Sequence, residues 1–160
     1  MAAKRSDKSP LEKLKHYCAW QERCHSEVKA KLEQLKVPWQ EHDAIIAALI
    51  AENFLNEERF SRLFARSKMH QKQWGKQKIV QALKAKRVSD YCIRMALKEL
   101  ESEDYAQALE IAARRKWQQL AAESPFSRRN KLARYLMAKG FESEQLWAVV
   151  HTLEAGEAGV

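Results

Sequence analysis

The side chains with the clearest chemistry in this chain are cations set close together. Between Ser61 and Ser89 stand Arg62, Arg66, Lys68, Lys72, Lys76, Lys78, Lys84, Lys86 and Arg87, without a single Asp or Glu among them. A second basic set follows about fifty residues on, made of Arg114, Arg115, Lys116, Arg128, Arg129, Lys131 and Arg134. Cations of this density bind arrays of negative charge, whereas a merely solvated helix face mixes its signs. The net charge of +8 is correspondingly uneven. Residues 1–60 carry 10 basic and 10 acidic side chains, residues 61–140 carry 19 and 7, and residues 141–160 carry only 4 acids. Two basic stretches one interval apart make a strip rather than a spot, which suits a long regular partner such as a protein filament or a nucleic-acid backbone.

Other chemistry has no foothold. The chain lacks GxxxxGK[ST], GxGxxG, GxSxG, HExxH and any paired CxxC, so the signatures of phosphate cradles, nucleophile elbows and zinc sites are missing, and no catalytic residue, cofactor or metal is expected. His16, Cys18, Cys24 and His25 come nearest to a metal cluster, but their spacing fits no standard zinc pattern. Cys18, Cys24 and Cys92 are odd in number and read as reduced thiols. No apolar run reaches membrane-spanning length and the first ten residues are polar, so the expectation is a soluble, cytoplasmic monomer that is not an enzyme.

The elements that carry these cations are written in a repeat. KIVQALKAKRVSDYCIRMALKEL (78–100) and KLARYLMAKGFESEQLWAVVHTL (131–153) match at an offset of about 53, which lays Ile79, Leu83, Val88, Ile93, Leu97 and Leu100 on Leu132, Leu136, Phe141, Leu146, Val150 and Leu153. An earlier copy aligns Val28, Leu32 and Val37 at an offset of about 51, with three extra residues around Pro38 and Trp39. Few Gly and Pro, with abundant Ala, Leu, Lys, Glu and Gln, make the chain all-α. The expected architecture is three tandem three-helix repeats in an elongated, curved array: a disordered tail over 1–10, repeats over 11–54, 55–101 and 102–155, and a flexible tail over 156–160.

Local signals place the helices. Ser26, Asn56, Ser89, Ser102 and Ser127 read as caps, Pro38 as a stop, and Gly140 as a left-handed C-terminal residue whose counterpart in the second repeat is Arg87. Ile45, Ile46, Leu49 and Ile50 read as inward, as do Phe60, Leu63 and Phe64. Arg62 to Lys78 fall on two helices joined near Trp74-Gly75 and can converge on one side. Trp74 and Phe126 take matching elbow positions, either as apolar plugs between repeats or as platforms on which bases stack.

The stretch ENFLNEERFSRLFARSK (52–68), followed by WGKQKIVQALKAKRVSDYCIRMALKEL (74–100), resembles the central signature of the RecX family, and YCAWQERCHSEVKAKL (17–32) resembles its first unit. Arg87 stands where the family often has Gly, and Ala82 where Glu is common. The resemblance implies tandem three-helix repeats that regulate the RecA recombinase in recombination, DNA repair and the SOS response. Such proteins lodge in the groove of the RecA filament on single-stranded DNA and suppress ATP turnover and strand exchange, with weak, non-specific binding to single- or double-stranded DNA alone. Both basic sets are then the candidate RecA and DNA contacts. Two other functions stay open: a helix-turn-helix-like DNA-binding regulator, and a helical-repeat interaction scaffold.

Overall fold

The structure is a computed structural model that describes residues 7–158, and among these it contains nine α-helices and no strand. They fall into three units. Unit one holds α1 (Pro10–Trp20), α2 (His25–Gln34) and α3 (Trp39–Ala51); unit two holds α4 (Glu57–Lys72), α5 (Lys76–Ala85) and α6 (Asp90–Lys98); unit three holds α7 (Glu103–Gln119), α8 (Pro125–Ala138) and α9 (Ser143–Ala158). The expected N-terminal tail falls largely on residues 1–6, outside the described residues. At the other end α9 stays helical through Ala158, where a flexible tail is expected from 156.

Several helix starts follow the sequence signals. The Asn56 side chain accepts from the Arg59 amide at 2.9 Å, with Glu57 and Glu58 in the first turn where the helix dipole favours acids. Others move. Ser124, not Ser127, caps α8, because Pro125 presets the first helical φ and its missing N–H is one the helix leaves unpaired anyway. In unit one the cap is Cys24 rather than Ser26, with the Glu27 carboxylate reaching back to the Cys24 amide at 3.1 Å. Pro38 becomes the N-cap of α3.

The middle helix of every unit ends in the same way. Lys36, Arg87 and Gly140 adopt left-handed φ values of 56°, 58° and 94°. The next residues, Val37, Val88 and Phe141, donate their amides to the carbonyls of Leu32, Leu83 and Leu136 at 3.0, 3.1 and 3.2 Å. This is a Schellman closure with its apolar contact, and all six of those apolar side chains are buried. Glycine adopts the conformation freely; the Lys and Arg bear about 1 kcal/mol each.

The repeat is less regular in its joints than in its units. One apolar core runs continuously through units two and three, from Phe60 and Ile79 to Leu146 and Val150, and takes in Cys24 of unit one, while a second core is built on Leu14, Val28, Leu32 and Leu49 of unit one with Leu55 just after it. Between units two and three, backbone meets backbone: the Gly75 amide donates to the Lys139 carbonyl at 2.7 Å and the Gln77 amide to the Gly140 carbonyl at 3.0 Å. A Cβ on Gly75 would lie 2.3 Å from the Gly140 carbonyl carbon, so only two glycines fit. At the offset of the repeat, Cys24 and Arg87 occupy these places, and side chains replace the backbone contact. Ser26 Oγ donates to the Lys86 carbonyl at 2.6 Å, Lys86 pairs with Glu27 at 3.5 Å, and Arg59 pairs with Glu22 at 2.6 Å. In both joints the first amide of the middle helix, which has no partner within the helix, is capped by the following unit: His25 N–H by Glu57 at 3.2 Å, and Lys76 N–H by the Tyr105 hydroxyl at 3.0 Å.

Ile50 and Leu63 depart from their expected inward positions and are exposed, Leu63 because it lines a groove between units one and two.

Candidate polyanion-binding surface

The first basic set does not converge. Its residues from Arg62 to Lys78 divide among four places, according to the direction each side chain leaves its helix. Arg62 and Arg66 point across α4 to the end of α6, where Arg62 bonds Glu99 at 3.1 Å and Glu58 at 3.1 Å, and Arg66 lies 3.7 Å from Glu99. These carboxylates hold the Arg62 guanidinium firmly charged, Glu99 contributing most. Lys68 and Lys78 instead flank Trp74, with ammoniums 5.0 and 4.6 Å from the ring centre. Lys76 lies over Tyr105 at 5.2 Å. Lys72 is exposed at the end of α4.

Trp74 packs edge-on against Phe64 at 6.4 Å and forms one wall of a groove of about 570 Å³ between units one and two. Gln21, Glu22 and Glu27 line its other side. Ammoniums over an aromatic ring gain from its quadrupole and compete with a nucleobase for the same face. Phe126 is no counterpart of Trp74. It sits 69% exposed in an extra first turn of α8, a helix of 14 residues against the 10 of α5, beneath the Arg129 guanidinium at 5.6 Å.

The second set also divides. Arg128 is structural: it is buried, donates twice to the Trp117 carbonyl at 3.1 and 2.7 Å and once to Glu157 at 2.6 Å, and stacks 3.7 Å from the Trp117 ring centre. Its side chain therefore cannot meet a partner in this fold. Spacing alone could not distinguish it from Arg129, because only the packing of α8 on α7 decides which one turns inward. Arg114 pairs with Glu110 at 2.9 Å, Arg129 with Glu154 at 3.6 Å and Lys131 with Glu123 at 2.6 Å. Lys131 and Ser127 hold the exposed Glu123 carboxyl below its usual range. Arg115 and Arg134 are exposed, and Lys116 lies 5.0 Å from the Tyr135 ring centre. Exposed ion pairs of this kind contribute little to stability, and such cations remain available to a stronger anion.

One cation that sequence reasoning passed over belongs with them. Lys139 bonds the Lys72 carbonyl at 2.6 Å and lies 5.6 Å from the Tyr135 ring centre. Its signal in the sequence is the adjacent Gly140, which fixes the backbone that aims it across the seam.

Among the described residues no three His, Cys, Asp or Glu side chains gather as metal ligands, and no helix is long and apolar enough to cross a membrane. Cys18 and Cys24 are buried, Cys24 hydrogen-bonded to Ser26 and Glu27. Burial is the main cause that pushes the Cys18 thiol up to about 11 from 9.0. A shift of this size leaves about a hundredfold less thiolate at neutral pH, so Cys18 in the folded protein is expected to react at least that much more slowly with Ellman's reagent than in denaturant. Equal rates in a Cys24→Ser, Cys92→Ser background would contradict the burial.

Comparison with known proteins gives the arrangement its relatives. The model of the second three-helix domain of RecX matches residues 56–97, and that of the third matches residues 103–150. The chain is 27% identical over 142 residues to the regulatory protein RecX of Oceanobacillus iheyensis, covering 89% of this chain and 52% of that one. It is 34% identical over 106 residues to the regulatory protein RecX of Halorhodospira halophila, covering 65% of this chain and 63% of the relative. The matches thus span between half and two thirds of these relatives' lengths. In fold it resembles a crystal structure of regulatory protein RecX (TM-score 0.80, 20% identity, 88% of this chain and 69% of that one) and one of RecX from Lactobacillus salivarius (TM-score 0.81, 21% identity, 91% and 95%). Matched over more than half its length by two domains of one family, in the order and spacing of its own second and third units, the chain belongs to the RecX family.

Proposed function

We propose that this protein regulates homologous recombination and DNA repair in the cytoplasm by lodging along the RecA filament, where it inhibits RecA ATPase and strand exchange, and that it binds single- or double-stranded DNA weakly and without sequence preference. The observation that carries this reading is the placement of cations that have no acidic partner among the described residues, Lys68, Lys72, Lys76 and Lys78 in unit two and Arg115, Lys116 and Arg134 in unit three, on a RecX-family fold. A filament is a long polyanionic surface, and units two and three together offer it cations on more than one helix. Arg62, Arg66, Arg114, Arg129 and Lys131 are contacts of a second kind, which would exchange an internal carboxylate for one on the partner. The basic sets fit a surface that binds by charge and shape rather than a single recognition helix.

The test is the DNA-dependent ATPase of RecA. Wild-type protein is expected to depress it, and the triple variant Lys72→Glu, Lys76→Glu, Lys78→Glu to need at least about tenfold more protein for the same effect, since three reversed charges each cost on the order of 0.5 kcal/mol or more at a polyanionic surface. Circular dichroism checks that helicity is retained. Wild-type protein without effect on RecA would reject the function; full inhibition by the folded triple variant would reject the surface.

A further inference from the structure

Where unit two meets unit three, four cations come together and none has an acidic partner among the described residues. Lys139 reaches from the end of α8 to the Lys72 carbonyl at 2.6 Å, and so stands on the last turn of α4 beside the exposed Lys72 side chain. Lys116 of α7 shares the Tyr135 ring with Lys139, at 5.0 and 5.6 Å. Arg115, next to Lys116, is exposed. Other cations of the two basic sets, Arg62, Arg114, Arg129 and Lys131, each have a carboxylate. Of the seam's acids, Glu142 accepts from the Tyr105 hydroxyl at 2.7 Å and Asp104 lies 3.8 Å from His70. Burial first, then the charges of Lys72 and Arg115, lower the Lys139 pKa, as expected of cations assembled without a counter-charge.

The frame beneath this cluster is stiff. Gly75 and Lys139 join through an amide-to-carbonyl bond of 2.7 Å, and Gln77 and Gly140 through one of 3.0 Å, so α4, α5 and α8 cannot shift independently. Tyr135 limits the rotamers of two lysines and, being engaged by ammoniums, is not free as a platform for a base. What remains exposed is mostly positive charge, which meets phosphate oxygens whatever base they carry.

We infer that this seam is a clamp for the phosphodiester backbone of nucleic acid, in which Lys72, Arg115, Lys116 and Lys139 face phosphates and no base is read. It rests on the nucleic-acid half of the function proposed above and assigns that half to a particular place, leaving the Trp74 side of unit two to the protein partner.

The test uses the full chain without RecA and follows the fluorescence anisotropy of a labelled oligothymidylate of about twenty nucleotides across a series of salt concentrations. Each phosphate contact on a single strand contributes about 0.7 to the slope of log K against log salt, which is about fivefold in affinity at 0.1 M. Arg115→Gln and Lys139→Met are each expected to lose about that factor and about that slope, and oligodeoxycytidylate to bind within about twofold of oligothymidylate. The Arg115 side chain makes no hydrogen bond or ion pair among the described residues, so its variant tests the clamp even if Lys139→Met loosens the seam. Wild-type affinity and slope in Arg115→Gln would overturn the inference, as would a marked base preference. Displacement of the oligonucleotide by inorganic phosphate at equal phosphate concentration would make this a free-anion site and overturn it too. RecA ATPase measured on the same samples separates the readings: inhibition intact with the slope unchanged rejects the clamp alone, whereas a normal slope loss with no wild-type inhibition rejects the recombinase function alone.

Discussion

Gly75→Ala is expected to lower the melting temperature of this protein by roughly 6–12 °C, corresponding to about 3 kcal/mol in a chain of this size. The backbone is not the reason. Gly75 has φ −83° and ψ 170°, which alanine adopts without strain, and replacing glycine at such a position ordinarily stabilises by about 0.4–1 kcal/mol through the unfolded chain. Space reverses the sign. The added Cβ would stand 2.3 Å from the Gly140 carbonyl carbon and 2.4 Å from the Phe141 amide nitrogen, both backbone, so the two chains must part. Parting strains or breaks the amide bonds of Gly75 and Gln77, each contributing about 1 kcal/mol, on top of an overpacking cost of about 1–3 kcal/mol. Gly156→Ala is the control, since none of the described residues lies within 4 Å of its Cβ, and it is expected to be neutral or slightly stabilising. Thermal unfolding followed by circular dichroism decides the matter; an unchanged or raised midpoint for Gly75→Ala would mean that the seam is not closed as described.

Arg128→Ala should cost about 2–3 kcal/mol and leave nucleic-acid affinity almost untouched. The guanidinium ties three helices together: it rises from α8, takes the Trp117 carbonyl near the end of α7 twice, and meets Glu157 on α9, which also accepts the Trp117 indole N–H at 2.9 Å. Losing one partner of a fully buried ion pair costs about 3–5 kcal/mol, but here Glu157 is more than half exposed and can be resolvated, so the figure is smaller. Lys at this position is expected to recover little, because an ammonium cannot make the planar fork or lie flat on the indole. Urea unfolding of Arg128→Ala and Arg128→Lys beside Arg129→Ala gives the comparison, with Arg129→Ala within about 0.5 kcal/mol of wild type. Near-equal stabilities for the Arg128 and Arg129 variants would show that Arg128 is as free as its neighbour.

These two positions mark where the sequence could be read and where it could not. Periodicity located the units because the buried positions repeat: Val28, Ile79 and Leu132, then Leu32, Leu83 and Leu136, are each fully enclosed. Even the strained Arg87 was legible, as the residue standing where Gly140 stands. What escaped was everything set by contact across units. Gly75 reads in the sequence as a helix break, yet its lack of a side chain is demanded by a backbone 65 residues away. Arg128 reads as one cation in a basic run, and Lys139 as an isolated lysine, until the packing of α8 turns the first inward and sets the second over the seam. Trp74 and Phe126 look equivalent at the offset of the repeat, but Ser124-Pro125 begins α8 a turn early and displaces Phe126 onto the surface. Local propensity and period are properties of a segment, whereas the fate of a cation depends on which carboxylate or carbonyl another segment brings to it.

The two joints also respond differently to their surroundings. The glycine seam is closed by amide bonds and close backbone contact, and because its cations repel one another, counterions relieve it rather than loosen it. The joint between units one and two relies partly on the ion pairs Arg59–Glu22 and Lys86–Glu27, whose side chains are about a quarter to a third exposed, and counterions weaken them within a screening length of about 8 Å at physiological ionic strength. Near a polyanion, with its dense atmosphere of condensed cations, that weakening is local. Mechanically the molecule is therefore a stiff bar with an ion-sensitive elbow, and the surface that attracts it is the one that softens its bend.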